Sequence, residues 1–212
     1  MLFNASLGQI ALLLPALIFA FSIHELSHGL MAYMLGDSTA KRDGRLSLNP
    51  VRHIDPVGLL FIMLVGFGWA KPVMIDPRNL SNPKVDMALI AIAGPISNFL
   101  LAFLGLMILP LLNLSPSLPG FVSDVIYIFC ILNIMLAVFN LLPIPPLDGS
   151  KVVAGVLPDS IYENLPPVGR YGMLILMLFM ITGVTRTIIM PIVNAIFNLL
   201  LMMVQSIYGF LL

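Results

Sequence analysis

The residues most able to do chemistry in this 212-residue chain form the run His24-Glu25-Leu26-Ser27-His28. On a helix, His24 and His28 lie one turn apart on one face, where both imidazoles can bind a single metal ion. Glu25 lies about 100° round the helix and can serve as a general base for a water molecule at that metal. The chain has only three histidines, so a chance match to this pattern is improbable. The plain alternative is a histidine pair satisfied by helix neighbours.

A catalytic zinc ion usually takes three protein ligands, so a third must come from elsewhere in the chain. The candidates are His53, Asp55, Asp124, Asp148 and Glu163. Depth favours Asp148, because His24 and His28 lie roughly 10–17 Å from the end of their apolar segment at 1.5 Å per residue. Asp148 follows a proline-broken segment end, where an extended turn can hold it inside the protein. The alternative for Asp148 is an ordinary turn or helix cap.

The elements that position these residues must lie in a membrane. The chain is 59% hydrophobic and 9% charged, whereas a soluble domain carries about 25% charged residues. Its net charge is zero, so it lacks the basic surface that nucleic-acid binding requires. We therefore expect an integral membrane protein that contacts the lipid bilayer and does not bind nucleic acid.

Five apolar segments have the length for a transmembrane helix, which needs about 20 residues. They are Ile10–Leu35, Met87–Leu112, Phe121–Leu142, Val168–Val184 and Ile188–Leu211. The fold class predicted from these segments is an all-α integral membrane protein with about five transmembrane helices. We expect one transmembrane domain over residues 1–212.

Val57–Ala70 is an apolar segment of a different kind. Its fourteen residues are too few to cross a bilayer and suit a re-entrant or interfacial element. It contains three glycines, which weaken helices, and the stretch Leu60–Val65 has strand-forming residues. We predict a re-entrant, β-like element over about residues 57–75.

The positions of the basic residues support this topology. If Val57–Ala70 enters and leaves on one side, the three charged windows Asp37–Asp55, Lys71–Asp86 and Asp148–Arg170 lie on one face. Every Lys and Arg except Arg186 is in these windows. The positive-inside rule then places the windows in the cytoplasm and the N-terminus outside. A crossing segment would lose this bias.

Three motifs in order resemble the site-2 protease family. They are His24-Glu25-x-x-His28, then Ala93-Gly94-Pro95-x-x-Asn98, then Asn140-x-x-Pro143-x-Pro145-x-Leu147-Asp148-Gly149. The resemblance covers nearly the whole chain and indicates the minimal subgroup, which has no PDZ or CBS domain. It implies one zinc ion held by His24, His28 and Asp148, with Glu25 as the general base. It also implies cleavage of membrane-protein substrates in or near their transmembrane segments, with the β region after the first helix presenting the substrate.

Three asparagines lie within the apolar helices. For Asn133 an interhelical hydrogen bond is the favoured interpretation. Asn140 belongs to the third motif, and its amide can bind substrate backbone or stabilise an oxyanion. Asn98 is a candidate for the same role, and interhelical packing is its equal alternative. In total, the sequence predicts an intramembrane zinc metalloendopeptidase in the cell membrane, with an active site toward the cytoplasm. The rival is a membrane metal transporter that uses the same His, Glu and Asp residues.

Overall fold

A computed structural model describes residues 7–65, 68–113, 120–162, 172, 175–176, 178, 182–183 and 185–211. These residues are mostly helical. The helices are α1 (Leu7–Met34), α2 (Thr39–Arg42), α3 (Pro56–Val65), α4 (Pro83–Asn113), α5 (Gly120–Asn140), α6 (Asp148–Val156), α7 (Asp159–Tyr162) and α8 (Met190–Leu211). Short 3-10 turns lie at Pro50–Arg52 and Pro77–Asn79, and a π-helical turn, Thr185–Ile189, precedes α8.

Four of these helices are long and apolar enough to cross a membrane. The apolar spans are Leu13–Met34, Pro83–Leu112, Gly120–Asn140 and Thr187–Phe210. They confirm four of the predicted spans and a multi-pass membrane protein. The fifth predicted span, Val168–Val184, lies mostly outside the described residues.

The main apolar core lies where α4, α5 and α8 pack together. Its buried members are Ala102, Leu106, Cys130, Ile134, Val138, Ile189, Val193 and Val204. Large apolar side chains on the outer faces of the same helices, such as Leu100, Leu104 and Phe121, are exposed. An apolar outer surface of this kind suits contact with lipid tails, because only the inner faces need protein partners.

The first half of the segment predicted as β-like, residues 57–75, is helical. Helix α3 covers Pro56–Val65, so the strand interpretation of Leu60–Val65 is wrong. Asp55 caps the helix, because its Oδ1 accepts hydrogen bonds from the amides of Val57 (2.8 Å) and Gly58 (3.0 Å). A helix satisfies its own backbone groups in an apolar setting, whereas a lone strand does not. The pair Asp55-Pro56 was the missed signal, since a capping residue followed by proline is typical of a helix start.

Extended backbone brackets α3. Ile54 and Ala70 form an antiparallel bridge, and the Lys71 amide donates to the His53 carbonyl at 2.9 Å. The residues that follow α3 therefore lie beside the residues that precede it.

The buried Asp37 carboxylate, just after α1, connects that helix to the turn that precedes α4. It accepts hydrogen bonds from the Thr39 amide (3.0 Å), the Asp76 amide (2.8 Å) and the Asn79 side chain (2.8 Å). Helix α4 then runs back along α1, so that Ile90 lies beside His28 and Asn98 lies beside Ala20. This antiparallel pair of helices is the frame of the site.

Candidate metal centre

The two histidines of α1 and the first residue of α6 converge on one point. The Nε2 atoms of His24 and His28 are 3.0 Å apart. Asp148 Oδ2 lies 3.2 Å from His24 Nε2 and 3.1 Å from His28 Nε2. All three residues are buried, and their ligand atoms form a group that could hold a metal ion. The structure thus brings together three residues that are up to 124 positions apart.

The hydrogen-bond partners of the two Nδ1 atoms determine the tautomers of these histidines. His28 Nδ1 lies 2.7 Å from the Ile90 carbonyl oxygen, and His24 Nδ1 lies 2.6 Å from Asn98 Oδ1. Both partners are oxygens that can only accept, so each Nδ1 carries the hydrogen. In a neutral imidazole Nε2 is then the unprotonated nitrogen, and in both rings it points toward the other ring and toward Asp148.

This donor set fits a zinc ion. Two nitrogen lone pairs and a carboxylate oxygen at about 3 Å would repel one another with nothing between them, and a divalent cation removes that repulsion. Two imidazoles and one carboxylate are a ligand set found in catalytic zinc sites, where a fourth position stays open. The Nδ1 hydrogen bonds are also the outer contacts that zinc-binding histidines usually make.

Gly94 on α4 provides the space beside the imidazoles. A Cβ atom placed on Gly94 would lie 2.5 Å from His28 Nε2 and 2.6 Å from His24 Cε1. Real side chains do not approach that closely, so any residue other than glycine would push the rings out of place.

The proline-rich turn after α5 delivers Asp148 to the histidines. The Ile144 amide bonds to the Leu142 carbonyl at 2.8 Å, and the Leu147 amide bonds to the Ile144 carbonyl at 2.9 Å. Asp148 then begins α6, where a negative charge is favourable at the helix N-terminus. Its second oxygen, Oδ1, lies 3.5 Å from the Lys151 ammonium. Sequence reasoning missed this contact, although the spacing of three residues on a helix could have indicated it.

Glu25 points toward the segment that follows α3. Its Oε2 accepts a hydrogen bond from the Val73 amide at 2.8 Å. The buried Arg45 guanidinium donates to the carbonyls of Lys71 and Pro72 in the same segment. Arg45 was predicted only as a loop charge, and nothing local in the sequence indicates its burial.

The chain has clear relatives among known proteins. Residues 115–184 match the family described as Peptidase family M50. YwhC of Bacillus subtilis (strain 168) is 38% identical over 188 residues, which cover 86% of each chain. Rip2 of Mycolicibacterium smegmatis is 29% identical over 82% of this chain and 68% of its own length. Both relatives carry the name putative zinc metalloprotease.

This chain belongs to peptidase family M50. That membership confirms the family predicted from the three motifs, and with it an intramembrane zinc metalloprotease whose cofactor is zinc. The relatives named above are called proteases, and neither is called a transporter. No solved structure matches the chain.

The other candidate residues that the structure describes in this M50 chain have their contacts elsewhere. His53 Nε2 bonds to the Ser47 carbonyl at 2.8 Å, Asp55 caps α3, and Asp124 is exposed on α5. Glu163 lies outside the described residues. The side chain of Asn140 donates to the Leu136 carbonyl of its own helix at 2.9 Å. Among the candidates that the structure describes, Asp148 is the acid that meets the histidines.

Proposed function

We propose that the chain is a site-2-type protease in which His24, His28 and Asp148 hold zinc and Glu25 is the general base. The observation that carries this proposal is the convergence of two histidine lone pairs and one carboxylate oxygen within about 3 Å. Bound zinc would polarise the carbonyl of the scissile peptide bond and lower the pKa of a water molecule toward 7.

The chain's own residues would then handle the proton. Glu25 Oε2 is held by the Val73 amide, and none of the described hydrogen bonds uses Oε1. Oε1 is therefore the atom that we assign to accept a proton from the attacking water and return it to the leaving amine. The Val73 hydrogen bond keeps the carboxylate from rotating during this transfer.

The two candidate asparagines receive different roles. We propose that Asn140 contacts the substrate backbone or the developing oxyanion, since its amide nitrogen has a second hydrogen besides the one on the Leu136 carbonyl. Asn98 is fully buried, and its Oδ1 is occupied by His24. We therefore assign Asn98 to the orientation of His24, in place of the substrate-binding role that its motif also allowed.

The substrate would be an unwound stretch of a transmembrane segment, because a helix hides its carbonyls in its own hydrogen bonds. Pairing of that stretch with the backbone after α3 is part of the proposal. The carbonyls of Lys71 and Pro72 and the Val73 amide already bond to Arg45 and Glu25. A carbonyl oxygen can accept a second hydrogen bond, so a substrate strand can pair with Lys71 and Pro72 while Arg45 and Glu25 keep their own bonds.

We propose that the membrane arrangement is five spans and a re-entrant α3, with the active site open to the cytoplasm of the cell. Ten helical residues extend about 15 Å, which is roughly half of the bilayer core. The Ile54–Ala70 bridge and the Asp37 hydrogen bonds to residues 76–79 support entry and exit on one side. The single domain expected over residues 1–212 is part of the same proposal.

The general base can be tested by replacing Glu25 with glutamine. We expect Glu25→Gln to keep about one zinc per chain and to lose at least about 100-fold in cleavage rate, since general-base catalysis contributes about 10²–10⁴-fold. Purified protein in lipid vesicles would be assayed with a transmembrane substrate, and zinc would be measured by elemental analysis. Asp124→Asn, which makes the same change at an exposed site, is the matched control and should cleave normally. Full cleavage by the Glu25→Gln protein would refute the assignment.

A further inference from the structure

We propose that Asn133 on α5 is a positioning residue for the metal centre, because it sets the tautomer of His24 through Asn98. This inference rests on the proposed role of His24 as a zinc ligand. Asn133 touches neither the metal ligands nor Glu25 in the described contacts, and the sequence predicts for it only an interhelical hydrogen bond.

A series of hydrogen bonds through Asn98 and Asn133 connects the three helices α1, α4 and α5. Both side chains are fully buried. Asn98 Oδ1 faces His24 Nδ1 at 2.6 Å, and Asn98 Nδ2 donates to Asn133 Oδ1 at 2.8 Å. Asn133 Nδ2 donates in turn to the Phe129 carbonyl at 2.8 Å. This series of hydrogen bonds thus begins at a backbone oxygen of α5 and ends at the His24 imidazole of α1.

The direction of every hydrogen bond in this series follows from the Phe129 carbonyl at its start. The Phe129 carbonyl can only accept, so the NH₂ group of Asn133 must face it and Oδ1 must face Asn98. An oxygen at that place requires the NH₂ group of Asn98, which turns Asn98 Oδ1 toward His24. That oxygen can only accept, so a neutral His24 must carry its single hydrogen on Nδ1. His24 Nε2 is then left unprotonated, as a metal ligand requires.

The opposite tautomer of His24 is disfavoured by the same series of hydrogen bonds. A hydrogen on Nε2 would leave Nδ1 as a lone pair facing Asn98 Oδ1, so two acceptors would meet in a buried, apolar setting. Removing the acceptor oxygen of Asn133 takes away the shorter of the two hydrogen bonds that orient the Asn98 amide. Only the bond from Nδ2 to the Ala20 carbonyl, at 3.5 Å, then opposes its rotation. Its NH₂ group could then face His24 Nδ1 and stabilise the tautomer that cannot bind metal through Nε2.

The test compares two replacements of Asn133 whose side chains have nearly the shape of asparagine. Asn133→Leu removes both polar groups of the side chain. Asn133→Asp in its neutral form keeps an acceptor for Asn98 and a donor for the Phe129 carbonyl. Ile134→Ala is the matched control. Ile134 is the next residue of α5 and is fully buried in the core, but its side chain takes no part in these hydrogen bonds.

Zinc affinity would be measured by competition with a chromophoric chelator, together with thermal unfolding of the zinc-free proteins. We expect Asn133→Leu to weaken zinc binding about 10-fold, which is the lower end of the range for outer contacts of zinc ligands. Asn133→Asp should bind zinc nearly as the wild type does. Ile134→Ala should unfold at a lower temperature and yet keep its zinc affinity.

The tautomer can be read directly by nitrogen-15 NMR of histidine-labelled, zinc-free protein, since the chain has only three histidines. We expect His24 to carry its hydrogen on Nδ1 in the wild type and to populate the other tautomer in Asn133→Leu. A neutral His24 that carries its hydrogen on Nε2 in the wild type would overturn the proposal, even if Asn133→Leu failed to fold. Equal losses of zinc affinity in Asn133→Leu and Ile134→Ala would also overturn it.

The same assay separates this inference from the proposed function. If His24→Ala binds zinc as tightly as the wild type, the proposed metal site is wrong. If His24→Ala loses zinc but Asn133→Leu does not, only the role of Asn133 is wrong.

Discussion

At the scale of single residues, the space around a ligand matters as much as the ligand itself. In the proposed metal site, His24, His28 and Asp148 supply the donor atoms, and Gly94 leaves the space in which the two rings can face each other. Residue types, spacing and the family resemblance were enough to predict these three residues as ligands. The need for a glycine opposite them follows only from the close packing of α4 against α1.

Gly94→Ala should therefore weaken zinc binding without unfolding the helices. The added methyl group would lie 2.5 Å from His28 Nε2, so the ring must move and its ligand geometry is lost. We expect a loss of at least about 10-fold in zinc affinity, comparable to disruption of the contacts that orient zinc ligands. Chelator competition measures this loss.

Gly209→Ala is the matched control for this substitution. Apart from its own helix, no described part of the protein has an atom within 4 Å of a Cβ placed on Gly209 in α8, so this variant should bind zinc normally. Normal zinc affinity in Gly94→Ala would show that the site tolerates a side chain at that position, which contradicts the packing argument.

At the scale of elements, the Asp37 carboxylate connects α1 to the turn that precedes α4. Burial raises the pKa of this carboxyl, but the hydrogen bonds donated by Thr39, Asn79 and the Asp76 amide outweigh burial and hold the pKa below its ordinary value. The pKa of Asp76 is itself lowered to about 2 by the Arg78 guanidinium. The connection therefore depends on an ionised Asp37.

Asp37→Asn should lower the stability of the fold by about 1–3 kcal/mol, since asparagine replaces one of the two acceptor oxygens by an NH₂ group that cannot accept. Because folding lowers the pKa of Asp37, its contribution is complete above the unfolded value near 4 and disappears as the pH falls through the folded value. The stability difference between wild type and variant should thus be constant above about pH 5 and shrink below about pH 4. Unfolding of detergent-solubilised protein at several pH values measures it.

Asp43→Asn, at an exposed position in the same window, serves as the control and should change little at any pH. A difference between wild type and Asp37→Asn that grows as the pH falls would have the wrong sign for this account.

At the scale of the whole molecule, the arrangement in the membrane depends on α3. The charge pattern and the return of the chain beside Ile54 both favour a re-entrant α3. If α3 is re-entrant, Asp43 and Arg78 lie on the same side of the membrane and Asp124 lies on the other. If α3 crosses, Asp43 and Arg78 lie on opposite sides.

Single-cysteine labelling of intact cells distinguishes these arrangements. The only native cysteine, Cys130, is buried in the core, so it will not interfere. We expect a membrane-impermeant maleimide to label Asp124→Cys and to leave Asp43→Cys and Arg78→Cys unlabelled until the membrane is opened. All three positions have exposed side chains. Labelling of Arg78→Cys in intact cells would show that α3 crosses the membrane.

The sequence by itself determined the features that depend on composition and short spacing. The lack of charge indicated a membrane protein, four of the five predicted apolar spans are helices, and three motifs predicted the family. Such features are visible locally, because a span needs only about 20 apolar residues and a metal-binding pair needs only one helical turn. The helical form of α3 was visible too, in Asp55-Pro56, but the glycines and β-branched residues nearby outweighed that signal in our prediction.

Only the tertiary structure decided how the site is oriented. The tautomer of His24 depends on Asn98, 74 residues away, and Glu25 is held by the Val73 amide, 48 residues away. Asn133 and Arg45 acquire their contacts in the same way, from helices and loops distant in the chain. No local pattern specifies such contacts, because a hydrogen bond requires its two atoms within about 3 Å and only the packing of α1, α4 and α5 brings them that close.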